Sequence, residues 1–295
     1  MEFLPFVFCE SVACLLGDDD LCRLHEIRPK FWGKAAGETF NLRISVRIIL
    51  MSNGGAWLYE LRVKDERCQN DYRITFVHLR KLNPRRLFMR EVEIGFYFIE
   101  PEASTLEELL EIVKFTIPFL CKPKLTIFNS IPDDALTKIL SLYQNVSISS
   151  INCLDRTIAV EEFLMNYLNS TSSPLHLELT SARWSKEVRL AIEEFSIFKP
   201  FTNVYTNTLV FGRTFFARLF EKALRTNSKC SFSGKFSFDF NELRGFKSDI
   251  QVASTSATQC SYREQPAKKV VWKRADGVEV TATFVNYYIS IKLEK

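Results

Sequence analysis

The chain has 295 residues, of which 46% are hydrophobic and 25% are charged, and its formal net charge at pH 7 is +4. This composition is typical of a globular protein with enough apolar material for a large core, and it excludes a disordered chain. The small net charge gives no argument for nucleic-acid binding, and no run approaches the ~18 apolar residues that a membrane span needs.

The eight cysteines are scattered through the sequence and form no Cys-x-x-Cys pair. Most of them stand within apolar patterns, where a free cysteine behaves as a small hydrophobic residue. This usage indicates free thiols in a reducing compartment. We therefore expect the protein in the cytoplasm, with the nucleus as the alternative.

The first 40 residues predict two short amphipathic helices that follow a Leu-Pro pair. The apolar residues expected on their two faces are Phe8, Val12, Leu15 and Leu16 in the first helix, and Leu21, Leu24, Ile27, Phe31 and Trp32 in the second. Two helices of about three turns cannot bury this much apolar surface between themselves. They must therefore pack on the rest of the chain or on another protein.

This segment resembles an F-box, the helical module of about 40 residues by which substrate receptors dock on the adaptor of cullin–RING ubiquitin ligases. The positions that carry the resemblance, and that it implies contact the adaptor, are Leu4, Pro5, Leu15, Leu16, Leu21, Leu24 and Trp32. Phe6 and Phe8 depart from the usual acidic-aliphatic opening of the family, and the loop between the helices is short. The alternative is a helical pair that simply covers one end of the fold.

Residues 41–91 have the pattern of a β section. Alternating runs at 42–48 and 57–63 flank Asn53-Gly54-Gly55, which predicts a hairpin because these residues tolerate positive φ. We expect a polar loop over 64–72 and another strand over 74–79.

From residue 92, short strands alternate with amphipathic helices. The predicted strands centre on apolar residues 23 to 29 positions apart, namely Phe96, Leu125, Ile148, Leu177, Val204 and Phe232. We expect a capping box at Ser104 and Glu107 before the first of these helices, and a cap at Asp155 or Thr157 before the third. This interval is typical of leucine-rich-repeat-like solenoids, and a doubly wound open sheet is the alternative.

The fold class expected is therefore α/β, or α+β overall, with a curved solenoid body of parallel strands. The layout resembles the F-box-like substrate receptors of the kind expanded in nematodes. The expected domains are an F-box-like helical segment at 1–40, a β-hairpin region at 41–91, a βα repeat body at 92–246, a loop at 247–269 with disorder as an alternative, and a C-terminal β cap at 270–295.

One fragment suggests catalysis, because Cys153-Leu154-Asp155-Arg156-Thr157 resembles the end of the signature of Sac-type phosphoinositide phosphatases. That family places its thiolate six residues before the arginine, where this chain has Ser150, so the mechanism fails. The sequence also lacks the spacings typical of zinc sites, phosphate-binding loops and hydrolase nucleophiles. We therefore predict no enzyme, no catalytic residue, no cofactor and no metal.

Basic residues cluster around one turn, with phenylalanines nearby. They are Arg80, Lys81, Arg85, Arg86 and Arg90. An RNA surface and a solvated turn both fit this pattern. The acidic residues Glu91 and Glu93 follow at once and favour the solvated turn, so we predict no nucleic-acid partner.

The sequence as a whole predicts a non-enzymatic protein-binding adaptor that presents a protein target to a ubiquitin-ligase adaptor, with no membrane partner. The alternatives are an interaction scaffold without ligase docking and an α/β hydrolase or phosphatase-type enzyme. Strand alternation places eight side chains on the exposed strand face: Thr126, Phe128, Ser147, Ser149, His176, Glu178, Tyr205 and Ser231. Of these, the predicted target-binding residues are Phe128, His176, Glu178 and Tyr205.

Overall fold

The structure is a computed structural model, and the chain divides into two compact units, Met1–Ile148 and Ser149–Lys295. The residues it describes are 6–13, 16, 18–26, 30–42, 44–53, 55–65, 70–84, 87–95, 102–128, 131–181, 183–225, 229–238, 252–259, 266–273, 279–285 and 288–294. The fold is mixed α/β, as expected at that level, and its sheet is not closed. The unit boundary differs from the predicted organisation, which kept residues 92–246 in one body.

Unit 1 opens with three helices, α1 (Phe6–Ala13), α2 (Asp18–Glu26) and α3 (Lys30–Leu42). The prediction of two helices was therefore wrong, because the apolar face predicted for the second helix is divided between two helices. Leu21 and Leu24 lie in α2, and Phe31 and Trp32 lie in α3.

The strands of unit 1 are β1 (Ile44–Asn53), β2 (Ala56–Asp65), β3 (Asn70–Ile74), β4 (Leu87–Ile94), β5 (Glu102–Ser104) and β6 (Leu120–Ile127). Their order is β3-β2-β1-β4-β6, and β5 pairs with β2. The predicted hairpin is confirmed, because β1 and β2 are antiparallel and Asn53 pairs with Ala56 across a turn in which Gly55 has a φ of 87°. β4 runs parallel to both β1 and β6.

The remaining helices of unit 1 are α4 (Phe76–Lys81), α5 (Leu106–Thr116) and α6 (Asp133–Tyr143). The strand expected over 74–79 was wrong, because Thr75 caps α4 by accepting the N–H of His78 at 3.2 Å. The polar loop expected over 64–72 was wrong at both of its ends, since β2 extends to Asp65 and β3 begins at Asn70. The cap of α5 is Thr105, which accepts the N–H of Glu108, one residue later than the predicted box.

Unit 2 begins with four strands and three helices in alternation. They are β7 (Ser150–Cys153), α7 (Ile158–Ser170), β8 (Leu175–Leu179), α8 (Lys186–Phe198), β9 (Phe201–Phe211), α9 (Arg213–Arg225) and β10 (Ser231–Phe236). The four strands are neighbours in chain order and run parallel. The predicted parallel strands at Leu177, Val204 and Phe232 are therefore confirmed. Ile148 lies two residues before β7, and Phe96 lies outside the described residues.

The rest of unit 2 is antiparallel: β11 (Val252–Gln259), β12 (Pro266–Lys273), β13 (Glu279–Val285) and β14 (Tyr288–Glu294). β14 pairs with β10, and the order continues through β13 and β12 to β11. The loop expected at 247–269 was wrong where β11 and the start of β12 lie. β11 is rich in serine and threonine, and its sequence lacks the regular alternation of apolar and polar residues that indicates a strand. The strand forms through backbone hydrogen bonds to β12.

One side of this sheet forms the core of unit 2. Leu177, Val204, Phe232 and Ile291 face each other on successive strands and are all buried. α7 contacts α8, and α8 contacts α9. The predicted cap Thr157 is confirmed, since its Oγ1 accepts the N–H of Val160. Each parallel step needs a crossover, and these helices provide it.

Candidate binding surfaces

The side of the unit 2 sheet opposite the core is lined by polar side chains, and we call its part on β7, β8, β9, β10 and β14 the open face. The alternation is clearest in β8, where Leu175, Leu177 and Leu179 are buried while His176 and Glu178 are partly exposed. Strand pairing aligns the open-face side chains in two rows: Ser150, His176, Asn203, Ser231 and Lys292; and Asn152, Glu178, Tyr205, Ser233 and Ser290.

Contacts between neighbouring strands hold the side chains of the open face in place. Ser233 donates its hydroxyl to Ser290 at 3.0 Å, and the rings of Tyr205 and Tyr288 have centroids 6.3 Å apart. The Tyr288 hydroxyl donates to the Thr206 carbonyl oxygen at 2.5 Å. Burial, and secondarily Tyr205, raises the pKa of Tyr288 above its ordinary value, so its hydroxyl keeps its proton at neutral pH.

Three of the four predicted target-binding residues lie together on the open face: His176, Glu178 and Tyr205. Phe128 belongs to unit 1, where it follows β6 and donates its N–H to the Ile94 carbonyl. Thr126, also expected to be exposed, is 6% exposed and faces Glu93 on β4. Ser233, Ser290 and Tyr288 join this face through the pairing of β10 with β14, which no local sequence pattern indicates.

The three N-terminal helices are held together by a small core of their own. Ala13, Leu21 and Ala36 are buried in it, and Leu16 and Leu24 pack against them. Of the predicted adaptor-docking residues, Leu21 is therefore an internal contact between the helices and offers no surface. Leu4, Pro5 and Leu15 lie outside the described residues.

Aromatic side chains on these helices are exposed. Phe8 and Phe31 each have 48% of their surface accessible. The ring of Phe8 meets that of Trp32 edge-on, with centroids 6.3 Å apart. We call Phe8, Phe31 and Trp32 the aromatic surface. Sequence periodicity put all three on apolar helix faces, but it could not show that Phe8 and Phe31 remain uncovered.

The phosphatase-like fragment has none of the geometry of a nucleophile. Cys153 is fully buried, and burial raises the pKa of its thiol, so the thiolate is disfavoured. Arg156 donates to the Glu161 carboxylate at 2.8 Å, and Glu161 also accepts the backbone N–H of Ser185. The arginine and the carboxylate thus connect the two loops that follow β7 and β8.

The basic cluster is divided among several structural contacts. The Arg80 guanidinium lies 4.4 Å from the Phe76 ring centroid and 3.6 Å from a carboxylate oxygen of Glu111. Arg90 lies over the ring of Phe88. Arg85 and Arg86 fall outside the described residues. Arg80 and Arg90 thus lie on different elements, α4 and β4, and each contacts a phenylalanine of its own element.

The sheet of unit 1 carries a different polar pattern, made of ion pairs. Glu60, whose side chain is 2% exposed, accepts the Nε–H of Arg62 at 2.6 Å and of Arg73 at 2.7 Å. Arg47 on β1 pairs with both Glu91 and Glu93 on β4. The Arg73–Glu60 pair joins β3 to β2 and the Arg47 pairs join β1 to β4, with the carboxylates of Glu60 and Glu93 largely buried and the arginines partly exposed.

Within the described ranges, no three His, Cys, Asp or Glu side chains gather in a group that could hold a metal ion. No helix in the same ranges is both long and apolar enough to cross a membrane. Among the described residues, the open face and the aromatic surface are two exposed features with binding chemistry. No protein-family model, no curated protein and no solved structure matches this chain.

Proposed function

We propose that this protein is a non-enzymatic receptor that binds a protein target and presents it to a cullin–RING ubiquitin ligase by docking on the ligase adaptor through α1, α2 and α3. The observation that carries the proposal is the aromatic surface. Half-exposed phenylalanines at Phe8 and Phe31 are unfavourable in water, and exposed apolar patches mark interaction sites. They lie on the helices whose sequence resembles an F-box.

The leucine-rich-repeat-like solenoid belongs to the same proposal. The parallel strands β7 to β10 follow each other in chain order, and contacts recur between residues 27 positions apart. Asn207 donates to the Thr180 carbonyl and Thr208 to the Ser181 carbonyl, each at 2.8 Å. Such repeats support a body whose regular strand face binds the target, and the open face supplies that surface.

The docking part is tested by mixing the purified chain with a purified adaptor–cullin complex and measuring binding by calorimetry. We expect Phe8→Ala combined with Phe31→Ala to weaken binding by at least about tenfold, because truncated aromatic anchors typically cost over 1 kcal/mol. The matched control is Phe198→Ala, since Phe198 is 66% exposed on α8 of unit 2. Circular dichroism confirms that each variant is folded.

Absence of binding by the unmodified chain would contradict the ligase-docking proposal and leave the scaffold as the better interpretation. Equal losses in the Phe8/Phe31 variant and in the Phe198 control would contradict the assignment of the aromatic surface.

A further inference from the structure

The open face has an uneven distribution of charge. Among the side chains of this face that the structure describes, Glu178 on β8 is negative, while Lys235 on β10 and Lys292 on β14 are positive. Among the described residues, none of these three forms an ion pair. This differs from the sheet of unit 1, where opposite charges neutralise each other.

The strand order fixes how far apart these charges are. β8, β9, β10 and β14 are consecutive neighbours, so Glu178 and Ser290, which share a row, lie three strand spacings apart, about 14 Å, and Lys292 is two residues from Ser290 on β14. Lys235 pairs with Tyr288, and Lys292 pairs with Ser231. The two lysines therefore flank the Ser233–Ser290 end of the row that contains Glu178, one on each side of it. An extended peptide rises about 3.3 Å per residue, so this distance corresponds to about four residues.

The middle of the row is suited to an aromatic or proline side chain. Tyr205 is partly exposed there, with Tyr288 beside it. Ser233 and Ser290 supply hydroxyl groups, which both donate and accept and so suit a peptide backbone. Tyrosine combined with small polar residues is also the composition that antibody paratopes use to bind protein.

We propose that the open face binds an extended peptide segment lying across the strands, with a basic residue at Glu178 and an acidic residue about four positions away at Lys235 and Lys292. A ring between them packs on Tyr205 and Tyr288. This inference rests on the proposed function as a protein-binding receptor and names the class of target segment. Glu178 disfavours a phosphate backbone, which separates this site from a nucleic-acid surface.

The test is selection of displayed random peptides, each about twelve residues long so that they exceed the charge spacing, on the immobilised full chain. The expected enriched sequences carry a basic and an acidic residue about four positions apart. Glu178→Lys should replace the basic preference with an acidic one, and Glu178→Gln should weaken it. Glu194→Lys is the matched control, because Glu194 is exposed on α8, and it should leave the selected sequences unchanged.

For one selected peptide measured by fluorescence anisotropy, we expect Glu178→Lys to weaken binding about fivefold or more, the upper range for an exposed ion pair. Failure to enrich any pattern, or the same pattern in the Glu178→Lys variant, would overturn the inference. Tighter binding of a single-stranded oligonucleotide than of every selected peptide would overturn it as well. Adaptor binding is measured separately, so retained adaptor binding with no charge pattern would refute this site alone.

Discussion

The ammonium of Lys222 donates to the carbonyl oxygen of Ser196 at 2.8 Å. It also donates to the carbonyl of Lys199 at 2.5 Å. These carbonyls lie at the end of α8, where no intrahelical N–H can reach them. One strand–helix unit earlier, Lys199 donates to the carbonyl of Asn169 near the end of α7. The lysine at the end of α8 thus binds the end of α7, and the lysine in the last turn of α9 binds the end of α8.

Replacing Lys222 by methionine keeps most of the stem but removes this cap. We expect the free energy of unfolding to fall by about 1.5–3 kcal/mol, the range for hydrogen bonds to a charged group. Chemical denaturation followed by circular dichroism measures it. Lys138→Met on the exposed side of α6 is the control and should change stability by less than about 0.5 kcal/mol. Equal effects of the two substitutions would show that the cap contributes nothing.

Tyr143 is fully buried, and its hydroxyl has no hydrogen-bond partner in the described structure. Tyr143→Phe should therefore raise the free energy of unfolding by about 1 kcal/mol, since an unsatisfied buried group is removed and the ring stays. Tyr143→Ala, which also removes the ring, should lower it by about 3–5 kcal/mol. A destabilising Tyr143→Phe would show that the hydroxyl has a partner.

The same tyrosine gives a dependence on pH. Burial raises the pKa of Tyr143, so the folded state retains the phenol proton that the unfolded chain loses. The stability contribution is complete below the unfolded pKa of about 10 and is lost as pH rises beyond it. The stability difference between Tyr143→Phe and the unmodified chain should therefore widen above pH ~10 in denaturation curves. A constant difference would contradict the assignment.

Gly95 has a φ of 91°, and a Cβ added there would lie 2.4 Å from the carbonyl oxygen of Phe128. Gly95→Ala should cost at least about 2 kcal/mol, because backbone strain and a backbone clash add. Gly55 also has a positive φ, but an added Cβ would meet open space, so Gly55→Ala should lower the free energy of unfolding by about 1 kcal/mol. Gly212→Ala has neither problem and should be close to neutral. Thermal melts of the three variants test this order.

Cys153 should resist alkylation in the native protein, because it is buried and its thiolate is disfavoured. Cys121 is partly exposed and serves as the internal comparison. Iodoacetamide labelling read by mass spectrometry should modify Cys121 first and Cys153 only in denaturant. Rapid native labelling of Cys153 would show that its thiol is accessible and that its thiolate is not disfavoured.

Where one side of an element faces the core, its sequence pattern predicted the structure well. Val160, Phe163, Leu164 and Tyr167 recur at helical spacing and are all buried in α7. The alternation of β8 likewise placed His176 and Glu178 on the open face. Both signals are local, since each depends only on which side of a single element is covered.

Features that depend on other elements could not be predicted in this way. α4 has six residues, too few for its period to differ from that of a strand, and the Thr75 cap decides its conformation. The inclusion of Tyr288 in the open face depends on β14 pairing with β10, a contact distant in sequence. The exposure of Phe8 depends on what the other helices leave uncovered, which periodicity does not specify.

The position of β14 has a consequence for synthesis of the chain. Ser231 on β10 pairs with Lys292 on β14, which is 61 residues later. At about 5–20 residues per second, a ribosome needs roughly 3–12 s to add this length. During that time β10 presents bare N–H and C=O groups that can pair with another nascent chain. The yield of folded protein should therefore fall as the rate of expression rises, and slower translation should restore it.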